Sequence, residues 1–252
     1  MKIYFLGTAG AVASADRDNT SLIVQIHDRL ILIDCPGSVV QKIKKLDLEP
    51  ECITDVIITH DHTDHIYGLP SVIHSLWLTG KKSELNIRAT RAVLYTCMKL
   101  VDALMLRAKK GMFALNFLPF EDGNVVIDEP DFRLTVFNVK HSDGSVGISV
   151  YSNGKKIVYS SDTEPCDSLE IQAFEADFLI HECNNAGIDR QPGHSNPEEV
   201  ATLAKRAQVK QLYLVHLPCE FMENPFPAIE RVKKLFNGPV NIPSDLDSIE
   251  IP

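Results

Sequence analysis

None of the six cysteines, Cys35, Cys52, Cys97, Cys166, Cys183 and Cys219, is paired in a C-x-x-C spacing. A disulfide framework belongs to short secreted chains, so this pattern predicts free thiols in a reducing compartment, the cytoplasm. No apolar run approaches the ~20 residues that span a bilayer, so no membrane partner is expected. The sequence has no basic excess: 25 Lys and Arg stand against 34 Asp and Glu, a formal net charge of -9. The acidic balance argues against a broad basic face for nucleic acid, because phosphate neutralisation needs Lys and Arg. A local basic patch, or binding through metal ions, remains open. There is no solenoid-period repeat, low-complexity tract or linker. With 44% hydrophobic and 23% charged residues the composition is that of a folded domain rather than a disordered chain or coiled coil.

Only one stretch imitates a leader. Lys2 precedes the apolar Ile3-Tyr4-Phe5-Leu6, and Ala13-Ser14-Ala15 has an A-x-A shape. Gly7, Thr8 and Gly10 break the apolar run and the flank carries a single lysine, so a strand and loop are expected instead of a signal peptide.

The 252 residues are enough for a sizeable core without staples. Short apolar runs predict strands at 2–6, 21–26, 29–34 and 55–59, with His27-Asp28 as a hairpin turn. Further strands are expected at 132–139, 147–151 and 156–160, the last two joined by Asn153-Gly154. The final third predicts strands at 177–181, 211–215 and near Val240. Helical spacing marks 39–46, a long helix over 90–110 stopped by Gly111, and helices over 197–207 and 227–236. Asn196-Pro197-Glu198-Glu199 carries a cap, a proline at the first helical position and acids in the first turn. Mixed strands and helices, with meandering β at the start, suggest one α/β domain of two sheets enclosed by helices.

Three of the nine histidines fall in the run His60-Asp61-His62-Thr63-Asp64-His65, directly after a buried-strand signature. In an extended loop residues i and i+2 share a side, so His60 and His62 can chelate one metal. A helix starting near Asp64 would turn Asp64 and His65 toward a second. Imidazole and carboxylate suit zinc and similar divalent ions. His141, Asp162 and His216 each follow a strand-like run, and a carboxylate can bridge two metals held ~3.5–4 Å apart. Asp34, at the end of its own strand, is expected to support a ligand histidine rather than bind metal.

In these motifs the sequence resembles the metallo-β-lactamase superfamily, whose H-x-H-x-D-H signature it carries at 60–65, with the later positions matched by His141, Asp162 and His216. The resemblance spans essentially the whole chain. It implies a four-layer αββα sandwich formed by a single domain over residues 1–252. It also implies two divalent metal ions, zinc by preference, with manganese or iron as alternatives. His60, His62 and His141 would hold one metal, and Asp64, His65 and His216 the other, with Asp162 between them. Histidine at position 62, where the di-iron flavoprotein branch has Glu, favours a hydrolytic branch.

Within the superfamily the sequence is most similar to the tRNase Z-like phosphodiesterase branch. Gly7 to Ser14 resembles that branch's first loop. Lys140-His141-Ser142 and Ser161-Asp162-Thr163-Glu164-Pro165-Cys166 resemble its third and fourth motifs. Leu179-Ile180-His181-Glu182-Cys183 is similar to its H-E-A-T loop and Gly193-His194-Ser195-Asn196 to its H-S-T loop. The resemblance implies hydrolysis of a phosphodiester, a small molecule or an RNA end, by a metal-activated water. Asp64 would orient that water, and His194, held by Glu182, would be general acid to the leaving oxygen. The backbone N–H groups at the Ser195-Asn196-Pro197 helix start are further candidates for binding phosphate oxygens. A homodimer is the assembly the relatives suggest.

Three departures separate the sequence from tRNA-processing members. The His141-to-Asp162 segment has no room for the tRNA-binding flexible arm, the last loop reads His-Ser-Asn, and the net charge is acidic. An arm-less tRNA 3′-endoribonuclease, a thioester or lactone hydrolase and a non-enzymatic binding member are the alternatives. The last usually lacks metal ligands, and here the set is complete.

Overall fold

The computed structural model describes residues 1–121, 123–189 and 191–251. Its contacts divide it into two units: Met1–Gly7, Asp18–Phe120 and Ser244–Ile251 form the first, Thr8–Arg17 and Glu121–Pro243 the second. Among the described residues all six cysteines are free thiols, and no helix is long and apolar enough to cross a membrane.

The first unit starts with a meander. Strand β1 (Lys2–Gly7) pairs antiparallel with β2 (Ser21–Ile26), and β2 with β3 (Arg29–Ile33). His27, with φ 51°, supplies the left-handed residue that the tight β2–β3 turn needs. From β3 onward the strands are parallel, and parallel neighbours require crossovers. Helix α1 (Val39–Lys45) leads from β3 to β4 (Ile53–Ile57). The short α2 (Thr63–Ile66) and α3 (Leu69–Leu78) lead to β5 (Leu85–Ala89). Helix α4 (Arg91–Ala103) leads to β6 (Leu115–Pro119). Ile53, Val56 and Ile57 of β4 are fully buried, each worth roughly 1.5–3 kcal/mol of apolar transfer.

The second unit repeats the plan. Strands β7 (Val125–Glu129), β8 (Phe132–Asn138), β9 (Val146–Ser152) and β10 (Lys155–Tyr159) pair antiparallel in sequence. Asn153 and Gly154 at φ 51° and 73° make the β9–β10 turn. Helix α5 (Asp167–Ala173) then crosses to β11 (Phe178–Glu182), and α6 (Pro197–Arg206) to β12 (Leu212–Val215). Helices α7 (Cys219–Glu223) and α8 (Phe226–Lys233) precede β13 (Val240–Asn241). Leu169, Val200, Leu203, Leu214 and Val232 belong to the core that these helices and strands share. Strand β14 (Ser248–Glu250) pairs antiparallel with β1, so the two seven-stranded sheets run β14-β1-β2-β3-β4-β5-β6 and β13-β12-β11-β10-β9-β8-β7.

The helix expected over 90–110 is shorter. It stops at Ala103, Met105 turns left-handed at φ 52°, and a 3-10 turn over Leu106–Ala108 follows. The break exposes Met105 (70%) and buries Leu106 (2%). Packing Leu106 overrides a helical propensity that continues to Lys110.

Gly68 joins α2 to α3. Its N–H donates to Cys35 O at 2.8 Å, and a Cβ there would stand 1.8 Å from Pro36 O. That backbone contact fixes how the histidine helix leaves the sheet. Gly68→Ala should lower the unfolding free energy in urea by at least about 1–3 kcal/mol, the usual cost of overpacking. An unchanged midpoint and slope would show that the contact is not tight.

Candidate metal centre

The carboxyl ends of the parallel strands carry most of the candidate residues. Asp34 follows β3, His60 lies just beyond β4, Asp162 just beyond β10, Glu182 ends β11 and His216 follows β12. Open α/β sheets place ligands at such ends. Three of the exits bend through left-handed residues that are not glycine: Asp34 (φ 58°), Ser161 (φ 54°) and His216 (φ 52°). This conformation is unfavourable for L-residues and clusters at functional sites when the surroundings enforce it.

In the first unit one buried carboxylate organises the histidine loop. Asp34 Oδ1 accepts the Thr59 N–H at 2.8 Å, and Oδ2 lies 2.9 Å from the Thr59 hydroxyl and 2.8 Å from His65 Nδ1. A carboxylate accepts, so the hydroxyl and His65 Nδ1 both donate to it. With its proton given to Asp34, the Thr59 oxygen accepts from His60 Nδ1 at 3.1 Å. Both rings thereby present Nε2 as the lone-pair nitrogen, the tautomer a metal requires. The His60 ring centroid lies 4.8 Å from that of His62 and 4.0 Å from that of His65. Asp64 Oδ2 is 3.4 Å from His65 Nε2. His62 is exposed, whereas His60 and His65 are buried. Asp61 points elsewhere, accepting from the Thr96 hydroxyl on α4 at 2.9 Å.

The second unit brings together His141, Asp162, Glu182, His194 and His216. Ligand atoms of His141, Asp162 and His194 lie within 4.8 Å of one another, as do those of Glu182, His194 and His216. Asp162 Oδ2 is 3.2 Å from His216 Nε2 and 3.9 Å from His141 Nε2, flanked by two imidazoles as a bridging carboxylate would be. His141 Nδ1 donates to Gly193 O at 2.8 Å and so also presents Nε2. The His194 and His216 rings stack 5.7 Å apart at 17°. The first loop runs beside His216: Gly10 N–H donates to Leu217 O, and Leu217 N–H to Thr8 O.

Glu182 is fully buried and well satisfied. Its Oε1 accepts the Thr163 N–H at 3.0 Å and His194 Nδ1 at 2.9 Å, and its Oε2 accepts the Asn184 N–H at 2.8 Å. Burial pushes the carboxyl above its ordinary value, against the pull of the His194 hydrogen bond. Asn184 Nδ2 stands 3.5 Å from His194 Nε2. The neighbouring His181 turns its Nδ1 to the backbone carbonyl of Glu182 at 2.7 Å, and burial drops its pKa to about 4.

One expectation is narrowed. At the α6 start the N–H groups of Asn196 and Glu199 are taken up within the helix end itself. Asn196 N–H donates to Glu199 Oε2 at 3.0 Å, and Glu199 N–H to Asn196 Oδ1 at 2.9 Å, a reciprocal capping box. Pro197 has no N–H to give. The same four residues that announce the helix therefore close its end. His27, in an exposed turn, and His74, stacked on Trp77 at 5.6 Å, lie apart from the site.

Solved structures share the whole architecture. The chain is similar to the metallo-β-lactamase fold protein YhfI from Bacillus subtilis, with 24% identity, a TM-score of 0.85 and 99% of each chain covered. It is similar to human tRNase Z, short form, with 25% identity, a TM-score of 0.79 and 100% of each chain covered. Ribonuclease Z of Methanothermobacter thermautotrophicus is 28% identical, aligned over 100% of this chain and 97% of that protein. The fold is thus the α/β sandwich of two mixed sheets flanked by helices, and with these imidazole and carboxylate donors the chain is a metal-dependent hydrolase of the metallo-β-lactamase superfamily. More narrowly, it belongs to the family described as anti-Pycsar protein Apyc1, whose model matches residues 1–227.

The donor chemistry fits a divalent metal, since neutral imidazoles with Nδ1 engaged and a flanked carboxylate are what such ions bind. Asp34→Asn replaces the acceptor that orients His65 while keeping its shape. Metal affinity in a chelator competition should fall about 10–100-fold, the usual effect of losing such a partner. Wild-type affinity in that variant would show that the Asp34 contact does not prepare a ligand.

Proposed function

We propose that the protein is a dinuclear metal-dependent phosphodiesterase acting on a small phosphodiester or a nucleic-acid end. The observation that carries this reading is the Glu182–His194 pair, a buried carboxylate 2.9 Å from an imidazole that stacks on His216. Ester hydrolysis needs a proton for the leaving oxygen, and such a pair can hold one there.

In this reading His60, His62 and His141 take one metal, Asp64, His65 and His216 the second, and Asp162 both. Bound metals supply charge to polarise the phosphoryl group and acidify a water. The protein's own groups do the rest. Asp64 orients the attacking water or takes its proton. His194 keeps Nδ1 on Glu182, which stabilises the charged imidazole, and delivers a proton from Nε2 to the leaving oxygen. Asn184 stands beside that nitrogen and helps to aim it. The metal is zinc, or manganese or iron, whose ligand preferences overlap. The six free thiols fit a reducing compartment such as the cytoplasm.

The second reading is tRNA 3′ processing, favoured by ribonuclease Z relatives that match this chain along their full length. Against it, β9 and β10 and their Asn153-Gly154 turn occupy the interval between His141 and Asp162, where arm-bearing enzymes insert the arm. The acidic net charge also disfavours a large RNA. Thioester or lactone hydrolysis would leave the Glu182–His194 pair without a use specific to phosphodiesters.

Metal-loaded protein assayed on bis-p-nitrophenyl phosphate, cyclic nucleotides and a pre-tRNA separates these readings. Turnover on the first two but not the third is expected, abolished by chelation and restored by divalent metal. No turnover on any of the three at full metal occupancy would defeat both phosphodiester readings. His194→Ala should slow turnover about 10²–10⁴-fold, the range for general acid catalysis, with metal content unchanged. Loss of metal in that variant would make His194 a ligand instead.

A further inference from the structure

We infer that Glu164 is a positioning residue that aims both a metal ligand and the proton donor by holding Gly193, the residue between them, through its N–H. The inference rests on the reading above that His141 binds metal and His194 delivers a proton.

Glu164 lies two residues beyond Asp162. Its backbone is pinned, because its N–H donates to Lys140 O at 2.9 Å in an isolated antiparallel bridge. One carboxylate oxygen, Oε1, accepts the Gly193 N–H at 3.1 Å. The other, Oε2, accepts from Lys140 Nζ at 3.0 Å. The carbonyl of Gly193 is the acceptor for His141 Nδ1, and the residue after Gly193 is His194. Glu164 therefore holds, by its N–H, the residue whose carbonyl sets the His141 tautomer and whose following peptide leads into His194.

Gly193 suits this post for two physical reasons. Its φ of +84° disfavours any L side chain, and a Cβ would stand 2.9 Å from His141 Nδ1. The ring can thus lie close over Gly193, and the Glu164 hydrogen bond holds that residue on the N–H side of its Cα. Among the described residues between Cys183 and Ser195 no helix or strand does so. Asn185 N–H to Ser195 O at 3.2 Å and Ser195 Oγ to Thr163 O at 2.7 Å tie its ends. The Glu164 hydrogen bond ties the position that matters to both imidazoles. Lys140 is mostly exposed, and an exposed ion pair contributes little. The acceptor geometry of Oε1, rather than charge pairing, is what this residue supplies.

Four variants test the clamp: Glu164→Ala, Glu164→Asp, Glu164→Gln and Lys140→Ala. Two readouts are taken, zinc affinity by chelator competition and the His141 ring ¹⁵N signals of the metal-free protein. Glu164→Ala should weaken zinc binding about 10–100-fold and turn the His141 Nδ1–H signal into a tautomer mixture. Glu164→Asp, which withdraws the acceptor by one methylene, should do the same and serves if the alanine variant does not fold. Glu164→Gln keeps an oxygen acceptor and should restore both readouts, and Lys140→Ala should leave both near wild type. Wild-type behaviour of the Ala and Asp variants overturns the clamp. A Gln variant as weak as Ala also overturns it, because charge would then be the cause. Wild-type protein that binds no zinc defeats the metal reading instead, while the ¹⁵N signals of the metal-free protein still decide whether Glu164 sets the His141 tautomer.

Discussion

Polar groups buried at the ends of apolar strands must be hydrogen-bonded, and the candidate site is built by meeting that demand. An imidazole buried without a partner is costly, of the order of a few kcal/mol. Here four of the site's rings give Nδ1 to a neighbour inside the protein: His65 to Asp34, His60 to Thr59, His141 to Gly193 and His194 to Glu182. The same bonds that offset burial also choose the tautomer. Every one of these rings is left presenting Nε2. A requirement of folding and a requirement of metal chemistry are satisfied by one set of contacts.

The sheets explain why those residues meet in each unit. Parallel strands joined by helices bring several carboxyl ends side by side, and β3 and β4 do so for Asp34 and the histidine loop. Strands β10, β11 and β12 do so for Asp162, Glu182 and His216. The left-handed exits at Asp34, Ser161 and His216 cost stability, of order 1–3 kcal/mol each. The long buried strands behind them hold the backbone there. Precision at the site is thus bought from the core, in which Val158, Leu179 and Leu214 are fully buried.

Much of this was legible in the sequence because it is local. The run from His60 to His65 shows a cluster of candidate donors by spacing, His27-Asp28 and Asn153-Gly154 declare their turns, and Asn196 to Glu199 declares a capped helix. Asp34 was legible as a support because it ends a strand. What escaped depends on contacts distant in sequence. The helix expected to reach Lys110 breaks at Met105 because Leu106 is drawn into the core. Strands β5, β6, β7 and β14 lie outside the expected elements, although the apolar–polar alternation of Leu85–Ala89 is a signal that could have marked β5. The closed α6 start could not be separated from an anion site without knowing which way Glu199 turns. Glu164 and Gly193 were visible beside Asp162 and His194, but no spacing links positions so far apart to one hydrogen bond.

The proposed function has the histidine run and the His141, Asp162 and His216 set share two metals. Anomalous scattering from zinc-soaked crystals tests it most directly. Two peaks per chain are expected, ~3.5–4 Å apart as in two-metal hydrolases, with Asp162 in contact with both. A single peak, or two peaks each bound by only one of the two residue sets, would contradict it.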